Sequence, residues 1–292
     1  MIAVTGANGQ LGRLVIESLI EQVPATEVVA LVRNVNDANE LAALGVEIRE
    51  ADYDKPDTLA KALQGINKLL LISSNAVGQR VPQHQAVVDA AKEEGVNLLV
   101  YTSILKAQQS PMKMAQEHVA TEDYIQQSGV PAVILRNGWY SENYTGSIKD
   151  VVQYGVVAGA SADGRISSAD RKDYAEAAAA VLASKDDLSG NVYELAGDAS
   201  FSLSEYAQEI ARQSGKEVTF NSMNDTEYQG FLVSVGLPEG FAALLADSDL
   251  NARDGWLFDD SGTLSKLIGR PTTSIQQSIK GCIKDSIQDC TQ

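Results

Sequence analysis

The run Val4-Thr5-Gly6-Ala7-Asn8-Gly9-Gln10-Leu11-Gly12 lies between a short aliphatic stretch, Ile2–Val4, and a stretch of helical spacing, Leu11–Leu19. Three glycines at this spacing leave the chain few options. Gly6 permits a tight turn, Gly9 lets the backbone approach a pyrophosphate, and Gly12 lets the helix pack close to the strand. The helix N-terminus then offers unpaired N–H groups and the positive end of its dipole. An ordinary glycine turn is the plain alternative. A glycine triplet that follows a strand and opens a helix, however, has the βαβ context of a dinucleotide site.

The next stretches keep that rhythm. Val28–Val32, Val46–Ile48, Leu69–Ile72, Leu98–Tyr101 and Ala132–Leu135 are short and aliphatic, and helical patterns separate them at 38–44, 58–63, 81–91 and 115–125. Such alternation predicts a parallel sheet. Right-handed crossovers make it an α/β, Rossmann-type doubly wound fold. After Arg136 the rhythm changes. A helix over 173–183, a strand at Val192–Leu195, a helix over 202–214 with a Ser202/Glu205 capping box, a strand at Val218–Phe220 and helices at 225–235, 238–247, 261–267 and 274–287 are expected. The expected organisation is a dinucleotide-binding domain over 1–136 and a smaller mixed region over 137–292. Some elements of that region pack back on the sheet.

Arg33 ends the second strand, twenty-one residues beyond Gly12. An acidic residue there binds the ribose hydroxyls of NAD; an arginine suits the 2′-phosphate of NADPH. A solvated surface arginine is the bland alternative. Composition narrows the partners. With 39 acidic against 23 basic residues and a net charge of −16, the chain lacks the basic balance of a nucleic-acid binder. The longest aliphatic run, Leu69–Ile72, cannot span a bilayer. The start has no charged-then-apolar leader pattern, and a cytoplasmic protein is expected. Two histidines, His84 and His118, and two cysteines, Cys282 and Cys290, with no CxxC, suggest neither a metal site nor a disulfide framework. Nothing in the sequence sets an oligomeric state.

The spacing TGxxGxxG resembles that of short-chain dehydrogenases, which ordinarily protonate a substrate alkoxide with a Tyr-x-x-x-Lys pair. None of the ten tyrosines here has lysine four positions on. Further landmarks are Ala51-Asp52-Tyr53-Asp54, Leu71-Ile72-Ser73-Ser74, Tyr101-Thr102-Ser103, the run Leu135 to Tyr144, Phe258-Asp259-Asp260-Ser261 and Leu267 to Thr272. Together they resemble the NADPH-dependent quinone oxidoreductase 2 group of the NmrA-like atypical short-chain dehydrogenases, related to the triphenylmethane dye reductases. The last dozen residues lie outside the resemblance.

The resemblance implies roles. Gly6, Ala7, Asn8, Gly9, Gln10, Leu11 and Gly12 with Arg33 would hold the phosphates, and Asp52 would lie by the adenine. Ser73 and Ser74 would line the ribose and nicotinamide side. Asn137, Gly138, Trp139 and Tyr140 would frame the nicotinamide, with Trp139, Tyr140 and Tyr144 as walls for a quinone. His118 falls about where many relatives carry an active-site lysine and is the candidate catalytic group. Each has a plainer reading: Asp52 as a loop carboxylate, Ser73 and Ser74 as turn caps, Asn137-Gly138 as a turn, the aromatics as core. His118 would then be a surface partner of Glu122, four residues on, and His84 reads as a helix-face residue. The absent dyad suits a quinone, because hydride addition leaves a resonance-stabilised hydroquinone anion that water can protonate. The expected activity is NADPH-dependent quinone reduction. A non-catalytic NADP(H)-sensing regulator, or a reductase of triphenylmethane dyes or other conjugated electrophiles, remain the alternatives.

Overall fold

The computed structural model describes residues 1–289, with side chains described as far as Lys284; Cys290 lies outside the described residues. The first half alternates without interruption. In chain order it runs β1 (Ile2–Val4), α1 (Gln10–Ile20), β2 (Val28–Val32), α2 (Asn39–Ala43), β3 (Glu47–Glu50), α3 (Pro56–Leu63), β4 (Lys68–Leu71), α4 (Arg80–Glu93), β5 (Leu98–Ile104), α5 (Lys113–Ser128) and β6 (Ala132–Asn137). The second half adds α6 (Glu142–Thr145), α7 (Ile148–Tyr154), β7 (Val156–Gly159), α8 (Arg171–Ala183), β8 (Val192–Leu195), α9 (Leu203–Ser214) and β9 (Thr219–Ser222). The helices α10 (Asp225–Ser234), α11 (Glu239–Ala252), α12 (Thr263–Ile268) and α13 (Ile275–Asp289) complete it.

Seven strands form one parallel sheet in the order β3-β2-β1-β4-β5-β6-β8, and β7 pairs with β9 in a separate parallel ribbon. Central strands β1 and β2 are buried at every position, as a sheet covered on both faces requires. The edge strand β3 differs. It occupies Glu47–Glu50 rather than the aliphatic 46–48, and its residues are partly or fully exposed. An edge is covered less completely, so pairing with β2 sets its register more than burial does. Connections run one way from β1 through β3 and the other way from β4 through β8. The reversal opens a crevice at the carboxyl ends of β1 and β4, where such sheets bind ligands.

The second half is interleaved with the first. Strand β8 extends the main sheet, α8 covers the face behind β1 and β4 by packing on α1, and α12 packs on α8. A division after Arg136 therefore falls inside β6. The expected Ser202/Glu205 capping box is formed in both directions, and Asn224 with Glu227 makes a second. Strand β7 and the short helices α6 and α7 carry no clear signal in the sequence. They are too short to show a period, and their burial comes from packing beneath α9 and α13. Among the described residues no helix is long and apolar enough to cross a membrane.

Candidate active site

The loop between β1 and α1 has the geometry its glycines anticipate. Gly6 adopts φ +58°, and the Gly9 N–H donates to the Gly6 carbonyl at 2.8 Å. A Cβ on Gly12 would sit 2.4 Å from the Gly6 carbonyl oxygen and 2.8 Å from the Ala7 Cα, so the helix meets the loop with no room for a side chain. Gly9 is exposed at the helix N-cap, and no side chain caps α1 there. The first amides of α1 thus point into the crevice without intrahelical partners. Buried Leu11 anchors this turn to the core, while Gln10 faces the opening.

Two adjoining cavities share Asn8 and Arg33. One, of about 620 Å³, runs from Gly6, Gly9 and Gln10 past Asp52 and Tyr53 to Ser73, Ser74 and Gln83. The other, of about 540 Å³, is lined by Asn8, Arg13, Arg33, Asn34 and Asp37. The structure therefore brings together the glycine loop, Arg33, Asp52, Ser73 and Ser74. It also adds Arg13, which sequence reading missed: an ordinary helix position one turn into α1. Arg13 donates to the Asn8 carbonyl at 3.3 Å and pairs with Glu40. Asn34 and Asp37 bond to each other at 2.8 Å. Asn8 gives its Nδ2 to the Asp37 carbonyl at 3.2 Å and keeps a buried, unpartnered Oδ1.

The far wall is built by hydrogen bonds across strand ends. Tyr53 places its hydroxyl 2.5 Å from Thr5 Oγ1 and 2.9 Å from the Ile72 carbonyl, tying the ends of β1, β3 and β4 together. Ser73 N–H donates to Thr102 Oγ1 and Ser74 N–H to His84 Nε2, each at 2.9 Å. The Ser74 hydroxyl accepts from the Ala76 N–H, so this serine lines the cavity and caps a turn as well. Burial opposes ionisation of Asp52, but the Asp54 N–H, the Lys55 ammonium and the Arg33 charge outweigh it and hold its carboxyl below the usual range.

The histidines depart from expectation. His118 is buried on the inner face of α5, and its Nδ1 meets the Tyr101 hydroxyl at 2.8 Å. It forms no surface pair with Glu122, whose carboxylate takes the Ser103 hydroxyl at 2.5 Å and the Arg136 guanidinium at 2.6 Å. The four-residue spacing is real, but this helix face turns to the sheet. His84 is also fully buried. Its Nε2 accepts from Ser74, which puts the ring proton on Nδ1, 2.9 Å from Thr121 Oγ1. Burial first, and then the Arg80 charge, push both imidazoles down to about pH 3. Both are neutral at physiological pH, and His118 is no cationic proton donor. The chain has only these two histidines. Their ring C–H signals are expected to keep constant NMR shifts from pH 8 to 5; a ring titrating near its ordinary 6.5 would place it in water instead.

The aromatic run lies elsewhere. Neither Asn137, Gly138, Trp139, Tyr140 nor Tyr144 lines the two cavities. Gly138 is confined between the Leu195 carbonyl and the Tyr174 hydroxyl, each 3.0 Å from where a Cβ would lie, so packing against β8 requires it rather than a turn. Tyr140 packs on Tyr174 with ring centres 5.2 Å apart and Arg171 over its face. Tyr144 joins Phe201 and Tyr206, and Trp139 packs at the margin of that same cluster. The alternation of an extended segment sends Trp139 and Tyr140 to opposite sides.

A doubly wound sheet, a glycine cradle at its switch point and a pair of arginines at one end of the crevice define a dinucleotide-binding protein of short-chain-dehydrogenase architecture. The cradle fits a dinucleotide because Gly9 is exposed at the N-cap and the first amides of α1 have no intrahelical partners. The chain belongs to the NmrA-like family, whose profile matches residues 1–252. It is 53% identical over 279 residues to quinone oxidoreductase 2 of Escherichia coli (strain K12), covering 96% of this chain and 97% of that one. The crystal structure of the Escherichia coli NADPH-dependent quinone oxidoreductase complexed with NADPH superposes with a TM-score of 0.94, at 52% identity over 96% of this chain and 99% of that one. The Citrobacter sp. triphenylmethane reductase complexed with NADP(H) is 36% identical, with a TM-score of 0.92 over 97% and 100% of the two chains.

Proposed function

We propose that this chain is an NADPH-dependent reductase that passes hydride to a quinone in the cytoplasm. The observation that carries the reading is the polarity of the crevice. One end gathers Arg13 and Arg33 beside the glycine cradle, and the other ends at Ser73, Ser74 and Gln83, backed by neutral histidines. The likeness to quinone oxidoreductase 2 at 53% identity along nearly the whole chain supports the same reading.

NADPH, when bound, supplies the hydride. The chain's own part is to hold and orient. The α1 amides and the Gly9 backbone take the pyrophosphate, Arg33 and Arg13 take the 2′-phosphate, and Asp52 lies at the adenosine side. The Thr5–Tyr53–Ile72 and Ser73–Thr102 bonds keep the strand ends rigid where the nicotinamide and acceptor meet. The acceptor's reduced form is a stabilised anion, so no strong protein acid is needed and water completes the proton transfer. Asn137, Trp139, Tyr140 and Tyr144 stay outside this scheme in their present packing.

Arg33→Ala is expected to weaken NADPH binding by about ten- to a hundred-fold, the worth of a charge-assisted hydrogen bond, and to leave NADH nearly unchanged. Fluorescence titration with both cofactors reads this directly; equal losses would remove Arg33 from the phosphate site. The activity itself is tested by steady-state NADPH oxidation with a panel of quinones and a triphenylmethane dye. Tight NADPH binding without turnover of any acceptor would favour a sensor over an enzyme.

A further inference from the structure

We propose that Gln83 sets the base specificity of the dinucleotide site, accepting a hydrogen from the exocyclic amine of adenine at the α4 end of the larger cavity. The inference rests on the NADPH reading above and adds to it which base the cavity selects. Gln83 lies on α4, is only 8% exposed and lines that cavity together with Arg33, Asp52 and Asp54. Its Nε2 donates to Asp54 Oδ1 at 2.9 Å. A carboxylate oxygen only accepts, so this bond fixes which way round the amide sits. The remaining atom, Oε1, is buried and has no partner. An acceptor left in that state bears its full desolvation cost until something donates to it.

The donors around this wall are already spent. Ser73 and Ser74 give their N–H groups to Thr102 and His84, and Ala76 gives its own to the Ser74 hydroxyl. The Gly78 and Arg80 N–H groups go to Glu117, and the Tyr53 hydroxyl is held by Thr5 and Ile72. The side chains that join Gln83 in the wall are acceptors. Asp52 takes the Asp54 N–H at 3.1 Å and lies 3.1 Å from the Lys55 ammonium, and Asp54 holds Gln83 itself. This end of the cavity is short of hydrogens, and it fits a ligand that brings them.

Position selects among such ligands. The 2′-phosphate at Arg33 is carried by the adenosine ribose, so the base on that ribose enters the same cavity. Val32, Ala51 and Ile72 offer apolar surface to its faces. The polar substituent of a purine projects from the edge farthest from the ribose. In adenine it is an amine with two hydrogens. Hypoxanthine carries a carbonyl there, which would set oxygen against oxygen. The nicotinamide carboxamide also has an amine, but it lies beyond the pyrophosphate, at the opposite end of the dinucleotide from the phosphate that Arg33 holds.

Paired nucleotides test this by calorimetric titration. One pair is NADPH and its hypoxanthine analogue; the other is 2′,5′-ADP and its inosine counterpart, which lack the nicotinamide half. The wild type is expected to prefer the adenine member of each pair by about ten- to a hundred-fold. Gln83→Leu removes the acceptor at similar volume and leaves exposed Asp54 to water, so each pair is expected to come within about threefold. Thermal melts check the fold, and Gln83→Met replaces Gln83→Leu if the latter is unfolded. Equal affinity of the wild type for both members of a pair overturns the proposal without any variant. A preference that survives in folded Gln83→Leu, or an equal loss for both bases, overturns it too and makes Gln83 a brace for Asp54. An acetylpyridine analogue, altered only at the nicotinamide, is the last arm. If Gln83→Leu erases a preference for NADPH over that analogue, the carboxamide and not adenine meets Gln83. A wild type that binds neither 2′,5′-ADP nor NADPH removes the cofactor reading and this proposal with it, whereas equal binding of both bases removes only this proposal.

Discussion

Gly9→Val is expected to bind neither NADPH nor NADH measurably, a loss of roughly a thousand-fold or more, while remaining folded. The size follows from what is displaced: two or three charge-assisted hydrogen bonds from the α1 amides to a pyrophosphate, each worth about 1.5–3 kcal/mol. The folding half of the prediction comes from local geometry. Gly9 has φ −73°, an ordinary value for any residue, and is exposed. A Cβ there meets the Gly6 carbonyl oxygen at 3.0 Å, tight but relieved by a shift of a few tenths of an ångström. Gly12 is the contrasting control. A Cβ at Gly12 would lie 2.4 Å from that same oxygen with backbone on both sides, so Gly12→Val should lower stability by about 3 kcal/mol or more, beyond the usual range for an overpacked site. Calorimetric titration with both nucleotides, alongside thermal melts, separates the two. Near-native NADPH affinity in folded Gly9→Val would show that the pyrophosphate does not cross this residue.

Quinones are expected to outpace simple ketones by at least about a thousand-fold in kcat/KM. A ketone that accepts hydride becomes an alkoxide and needs a proton in the same step. A positioned general acid contributes about 10²–10⁴-fold to such a step. The groups near the crevice cannot play that part. Tyr101 is buried and Tyr53 half-buried, and desolvation pushes both phenols well above the ordinary range. His84 and His118 are neutral, with ring nitrogens engaged by Ser74, Thr121 and Tyr101. A quinone avoids the demand because its reduced anion is delocalised. Rates for a quinone and a ketone of similar size, with NADPH saturating, decide the matter. Comparable rates would reveal a proton donor and undo this account.

How much of this can be read from the chain alone depends on how local each determinant is. Ser202 with Glu205 sets its own capping box three residues apart, and the structure forms it. Arg33 follows from counting along the glycine loop and its helix, since a strand of known rise must deliver its last residue to the crevice rim. Arg13 and Arg80 give no such signal. Each is an ordinary cation near a helix start until the sheet order brings one beside Asn34 and the other beneath Ser74. Tyr53 lies inside a sequence landmark, yet its bonds to Thr5 and Ile72 join three strand ends that are far apart in the chain.

The histidines show the same limit from the other side. Helical spacing correctly sets His118 and Glu122 on one face of α5, but periodicity does not say which face meets the sheet. Burial then converts an expected surface ion pair into a neutral imidazole on Tyr101 and a carboxylate on Ser103 and Arg136. The aromatic run after β6 is likewise visible as a run, while its destinations are set by β8, α8 and the Tyr144–Phe201–Tyr206 cluster. By itself the amino-acid sequence determined the βαβ rhythm, the glycine cradle and the arginine at the crevice rim. Each of those is written in spacing along one or two adjacent elements, where backbone sterics and hydrophobic period act. Only the tertiary structure decided the protonation of the histidines, the bracing of buried Arg80 on the Ser74 carbonyl and the exile of the aromatics from the crevice. Desolvation and charge proximity depend on which distant segments pack together, and no local pattern encodes that distance.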